Sequence, residues 1–117
     1  MYPPPKEVAL LMAVMLKRAE KTRARVSEKT VKTMAGRSAL RDAFVFELRQ
    51  SLEDYGVLLV RLDRGGFALV AISALEGAPT VVAKEHVSEE RRALREGTLD
   101  TRAMLEELGL SADAEDD

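Results

Sequence analysis

Residues 25–72 read RVSEKTVKTMAGRSALRDAFVFELRQSLEDYGVLLVRLDRGGFALVAI, and their punctuation decides the fold. Ser27 is a good N-cap, with Val26 one position before it and Val31 four after it, the spacing of a hydrophobic staple. Gly36 is suited to closing the short helix that follows, since glycine tolerates positive φ. Ser38 predicts the start of a second helix over 39–55. Its Leu40, Phe44, Leu48, Leu52 and Tyr55 are spaced by four, four, four and three and so stack along one face. Gly56 ends that helix. Residues 57–62 and 67–72 are rich in Val, Leu, Ile and Phe, and Asp63-Arg64-Gly65-Gly66 between them carries turn chemistry, which predicts a β-hairpin.

Outward from this stretch, Pro5 suits a first helical turn, and Val8, Leu11, Met12, Met15, Leu16 and Ala19 recur at helical spacing, predicting a helix to about Arg23. Leu10 and Val14 give it a second apolar edge. Beyond the hairpin, Gly77-Ala78-Pro79 breaks the chain, and residues 80–83 read as a short strand or an extended connection. Ser88 predicts a helix to about Arg95, stopped by Gly97. Asp100 caps a last helix with a Leu99–Met104 staple, and Gly109 with Leu110 supplies a Schellman stop against Leu105. Residues 111–117 hold four acids and no large apolar side chain, which predicts a disordered tail.

A chain of 117 residues with 46% hydrophobic and 32% charged residues reads as one globular domain with a core of its own. The net charge of −2 hides a polarity along the chain. Residues 1–72 carry 13 Lys or Arg against 8 Asp or Glu, whereas residues 73–117 carry 5 against 12. Residues 17–49 alone hold ten basic side chains and four acidic ones. That concentration is the electrostatic footprint a polyanion needs, although a basic run by itself is usually only a solvated surface.

The apolar run at 8–16 is far short of the roughly 20 residues needed to span a bilayer, and it meets Lys17 and Arg18 instead of a cleavage site. With no cysteine in the chain, disulfides, thiol nucleophiles and cysteine-ligated metals are excluded, and a cytoplasmic location is expected. His86 is the only histidine, so no His-pair metal site exists. Neither a P-loop nor a G-x-G-x-x-G pattern occurs. The reading is therefore a non-enzyme, with no catalytic residues, metal or cofactor.

In its Ser27-led helix, Gly36-Arg37-Ser38 break, helix over 39–55 and hairpin around Arg64, the chain resembles the winged helix-turn-helix superfamily of DNA-binding domains. The resemblance rests on architecture and covers roughly half the chain if 8–23 is counted as the first helix. It implies an α+β, mostly helical fold: a trihelical helix-turn-helix core with a β-hairpin wing at 1–83, C-terminal helices at 84–110, and the acidic tail. It also implies that helix 39–55 is a recognition helix entering the major groove of double-stranded DNA, as in a small transcriptional regulator. Arg37, Ser38 and Arg41 are then placed for base edges, Lys29, Thr30 and Lys32 for phosphates, Arg64 for a wing contact, and Arg49 for the backbone or nothing. A homodimer is expected from the Leu10–Val14 edge and the C-terminal helices.

Phe46 opposes that reading. It lies opposite the stacked face, with Ser38, Asp42, Arg49 and Glu53, where an aromatic suits a protein partner. The alternative is a winged-helix protein–protein interaction module, an adaptor or inhibitor that does not bind DNA.

Overall fold

Pro5 opens the first helix, α1 (Pro5–Arg18), where its missing N–H removes no helical bond. Glu7 in the first turn and Lys17 and Arg18 in the last complement the helix dipole. The computed structural model describes residues 2–110. Val8, Ala9, Met12 and Leu16 are the buried face of α1. Leu11 and Ala19, expected in that stripe, are exposed.

The helix also ends five residues before Arg23, for a local reason. Glu20 takes φ 56°, the only positive φ outside glycine among the described residues. The Glu20 N–H then donates to the Lys17 carbonyl at 3.0 Å and the Lys21 N–H to the Leu16 carbonyl at 3.4 Å. This is a Schellman stop with glutamate in the place that glycine usually occupies, so the sequence carries no glycine to mark it.

The chain released by this stop forms a strand that the sequence reading did not contain, β1 (Arg23–Val26). Ser27 then caps α2 (Glu28–Ala35) as expected, its hydroxyl accepting the Thr30 N–H at 3.1 Å. Val31 and Ala35 are buried, and Gly36 closes the helix at φ 65°. The third helix, α3 (Asp42–Asp54), starts three residues later than the expected 39–55. Arg41 holds the N-cap position, and neither it nor Ser38 supplies a side-chain cap. Leu40 nevertheless reaches the core from the connecting turn, continuing the buried series Phe44, Leu48 and Leu52. The spacing identified the buried face correctly, but it did not show that the first member lies outside the helix.

The hairpin is formed by β2 (Val57–Arg61) and β3 (Phe67–Ala71), paired antiparallel with Leu59 opposite Leu69. Its turn is closed by the Leu62 N–H donating to the Gly66 carbonyl at 3.0 Å. Gly66 has φ 80°, and a Cβ there would lie 3.1 Å from the Val26 carbonyl oxygen. That close approach exists because β1 pairs antiparallel with the other side of β3, Val26 opposite Phe67 and Arg23 opposite Val70. The sheet order is therefore β1-β3-β2. Val26, Val57, Leu59, Phe67 and Leu69 point inward and join the α1, α2 and α3 side chains in one core. The result is a small α+β domain with a three-stranded antiparallel sheet.

After β3 come α4 (Ile72–Leu75), α5 (Ala83–His86), α6 (Ser88–Glu96) and α7 (Thr101–Glu107). The chain divides into two compact units, the first ending at Ala78 and the second starting at Pro79. Residues 80–82 form no strand. In the second unit, Gly97 ends α6 at φ 76°, and the Asp100 carboxylate caps α7 by accepting the Ala103 N–H at 3.1 Å. Gly109 and the Leu110-to-Leu105 backbone bond of 2.8 Å form the expected stop. The acidic tail at 111–117 lies outside the described residues.

A left-handed glutamate costs about 1–2 kcal/mol relative to glycine, partly offset by the greater freedom of glycine in the unfolded chain. Glu20→Gly is therefore expected to raise unfolding stability by about 1 kcal/mol in urea denaturation, and Glu20→Ala to give no such gain. Equal stability of the two variants would remove this account of the α1 stop.

Candidate nucleic-acid interface

Three element ends meet around Arg61, the last residue of β2. Its guanidinium lies 3.5 Å from a carboxylate oxygen of Glu28, the first residue of α2. It lies 3.5 Å from a carboxylate oxygen of Asp42, the first residue of α3, and 5.5 Å from the centre of the Phe67 ring. The carboxylates are well exposed, so these long ion pairs add little stability. They report a geometric fact instead: the starts of α2 and α3 and the turn end of the hairpin share one end of the domain. The sequence reading gave Arg61 no role, because its partners are 33 and 19 residues away.

The expected site residues divide at this end. Lys29 and Thr30 occupy the first turn of α2, Arg41 precedes α3, and Arg64 lies at the hairpin tip; all four are exposed. The Thr30 hydroxyl shares a 2.9 Å hydrogen bond with that of Ser27. Ser38 is exposed in the turn before α3, and Lys32 is half-buried in the last turn of α2, away from the helix start. Arg25, to which the sequence pattern assigns no site role, borders the hairpin tip with Ser27, Leu62 and Gly65. Both helix N-termini place unpaired backbone N–H groups at this end, a polarity that favours anions. Glu28, Asp42 and Asp63 offset part of the positive charge.

Arg37, expected to reach base edges, has a different place. Its guanidinium carbon lies 4.5 Å from the Tyr2 ring centre and 4.2 Å from that of Phe44, so it is stacked between the N-terminal leader and α3. Its Nε is buried without a hydrogen-bond partner among the described residues. Pro3 packs over the same turn, its Cδ 3.5 Å from where a Cβ on Gly36 would stand. Such a sandwich is a use of arginine as a flat cation between π faces, and it withdraws Arg37 from any groove. The only hint in the sequence was Tyr2, an aromatic beside three prolines.

Arg49 is also engaged. Its Nε donates to the Leu59 carbonyl at 3.3 Å, tying α3 to β2. With Arg41 outside the helix, α3 carries Asp42, Glu47, Glu53 and Asp54 against Arg49 alone, a net −3. The basic character of residues 17–49 therefore resides in the elements before α3. Phe46 stands out from α3 with 55% of its surface exposed, in a shallow hollow shared with Asp42, Val45, Arg49 and Arg61.

No group of three or more His, Cys, Asp or Glu side chains suited to a metal ion occurs among the described residues. His86 is exposed at the end of α5. No described helix is long and apolar enough to cross a membrane. No family model, curated protein or solved structure matches the chain.

The stacking account makes Arg37 a structural residue. Arg37→Ala should cost about 1–2 kcal/mol of stability in chemical denaturation, and Arg37→Lys should recover only part of it. Arg41→Ala should change stability by less than about 0.5 kcal/mol. Wild-type stability of Arg37→Ala would refute the stack.

Proposed function

We propose that the chain is a winged helix-turn-helix protein that binds double-stranded DNA mainly through its phosphate backbone, as a small regulator working in the cytoplasm. One observation carries this reading: the Arg61 junction gathers exposed Lys29, Arg41 and Arg64 with two helix N-termini at one end of the domain. In such a complex Lys29 and Thr30 meet phosphates from the first turn of α2 and Lys32 meets one from its last turn, Arg64 touches the backbone from the wing, and Ser38 and Arg41 are nearest to base edges. Arg37 and Arg49 take no part. The net −3 of α3 opposes deep entry into a groove walled by phosphates, so sequence discrimination is expected to be modest.

A second reading has its own observation. The 55% exposure of Phe46 on an acidic helix suits an apolar protein partner better than DNA. The chain would then be an adaptor or inhibitor module.

Fluorescence anisotropy on a labelled duplex separates the two. Neutralisation of about four phosphates predicts a log–log salt slope of roughly −3 to −4. Arg41→Glu and Arg64→Glu should each weaken binding and flatten that slope, whereas Phe46→Ala should leave both unchanged. Absence of duplex binding at low salt overturns the DNA reading, and a protein partner lost on Phe46→Ala establishes the second.

A further inference from the structure

We propose that a second copy of this chain packs antiparallel against the outward face of α1. This inference is independent of the DNA reading, since the face is on α1 and the basic end is built from α2, α3 and the hairpin.

The helix has two apolar sides. Val8, Ala9, Met12 and Leu16 fill the core. At 100° per residue, Glu7, Leu10, Leu11, Val14, Lys17 and Arg18 fall together on the opposite side. Leu10 is 47% and Leu11 51% exposed, and Val14 is half-buried. Beside them a hollow runs along α1, its apolar wall made by Leu10, Val14, Tyr55 and Ala71, with Lys17 and Lys21 also lining it. Two adjacent exposed leucines continuous with an apolar hollow are an unusual surface for a chain that stays alone.

Charge on the same face selects the occupant. Glu7 stands at one end of the apolar trio and Lys17 and Arg18 at the other, about 15 Å away along the axis, while Lys6 lies to the side, in a hollow shared with Glu47 and Asp54 of α3. A two-fold axis near Met12 puts each Glu7 beside the other copy's Lys17 and Arg18, and each Leu10–Leu11 pair beside the other copy's Val14. The face is thus self-complementary, as an isologous interface must be. A parallel pair would set like charges together at both ends, and an uncharged partner would leave these charges unanswered. Because one 14-residue helix is small beside the roughly 800 Å² per partner of a standard interface, the wall made by Tyr55 and Ala71 is included in the contact.

The test is sedimentation velocity of the full chain over a concentration series, with circular dichroism and thermal melting as folding controls. The wild type should dimerise, and Leu10→Asp with Val14→Asp should give a folded monomer. Glu7→Lys alone, or Lys17→Glu with Arg18→Glu, should weaken the dimer by roughly tenfold, from contacts that occur twice by symmetry. Combining all three charge reversals should restore it. A wild type that remains monomeric throughout, a reversal at one end alone that strengthens association, or a triple reversal that fails to restore it would each overturn the antiparallel pairing.

Discussion

The pairing of β3 on both of its edges is the constraint on which the rest of the first unit depends. Phe67 and Leu69 point from this central strand into the core, where Leu48 and Leu52 of α3 and Met12 of α1 are also buried. With β2 on one side only, the sheet would be a two-stranded hairpin held by the helices alone, with one edge of β3 unpaired. The second edge is taken by β1, more than 40 residues earlier in the chain. That pairing holds Val26 opposite Phe67, fixes where α2 begins, and brings the Val26 carbonyl against Gly66. The location of the hairpin tip beside the start of α2 follows from it. So does the gathering of the exposed cations.

The arginines of this domain show why counting charge along a sequence says little about a binding surface. Arg37 is stacked between Tyr2 and Phe44, Arg49 is bonded to the Leu59 carbonyl, and Arg61 joins two carboxylates. Arg37 and Arg49 support the packing of elements, and Arg61 marks where three element ends meet. Lys29, Arg41 and Arg64 have no ion-pair partner among the described residues and remain exposed. A long guanidinium side chain can serve either purpose, and what decides is whether a ring, a carbonyl or a carboxylate lies within its reach. The same holds for α3: residues 39–55 already carry a net −2, and a start past Arg41 makes the helix −3.

The α1 helix has a comparable double nature. Its apolar run looked like a stripe with a surplus edge, and the fold assigns Met12 to the core and leaves Leu10 and Leu11 outside. The first unit therefore carries two surfaces of different chemistry, a basic end at α2, α3 and the hairpin, and an apolar flank on α1.

What the sequence determined by itself is local. The Ser27 cap, the Gly36 and Gly97 stops, the Asp100 cap, the hairpin around Gly65 and Gly66, and the buried series from Leu40 to Leu52 were all legible, because each depends on side chains within a few positions. Exposure of Phe46 followed from the same periodicity. Only the tertiary structure decided the rest. The strand β1 has only four residues, its Arg-Ala-Arg-Val alternation is the shortest that can read as a strand, and pairing with a distant β3 edge is what holds it. Glu20 adopts a glycine conformation because the chain must turn there to reach that edge. The late start of α3 and the capture of Arg37 depend on Leu40 and Tyr2 finding places across the fold. Contacts between residues far apart in the chain leave no periodic trace in it, and those contacts determine which charges remain free.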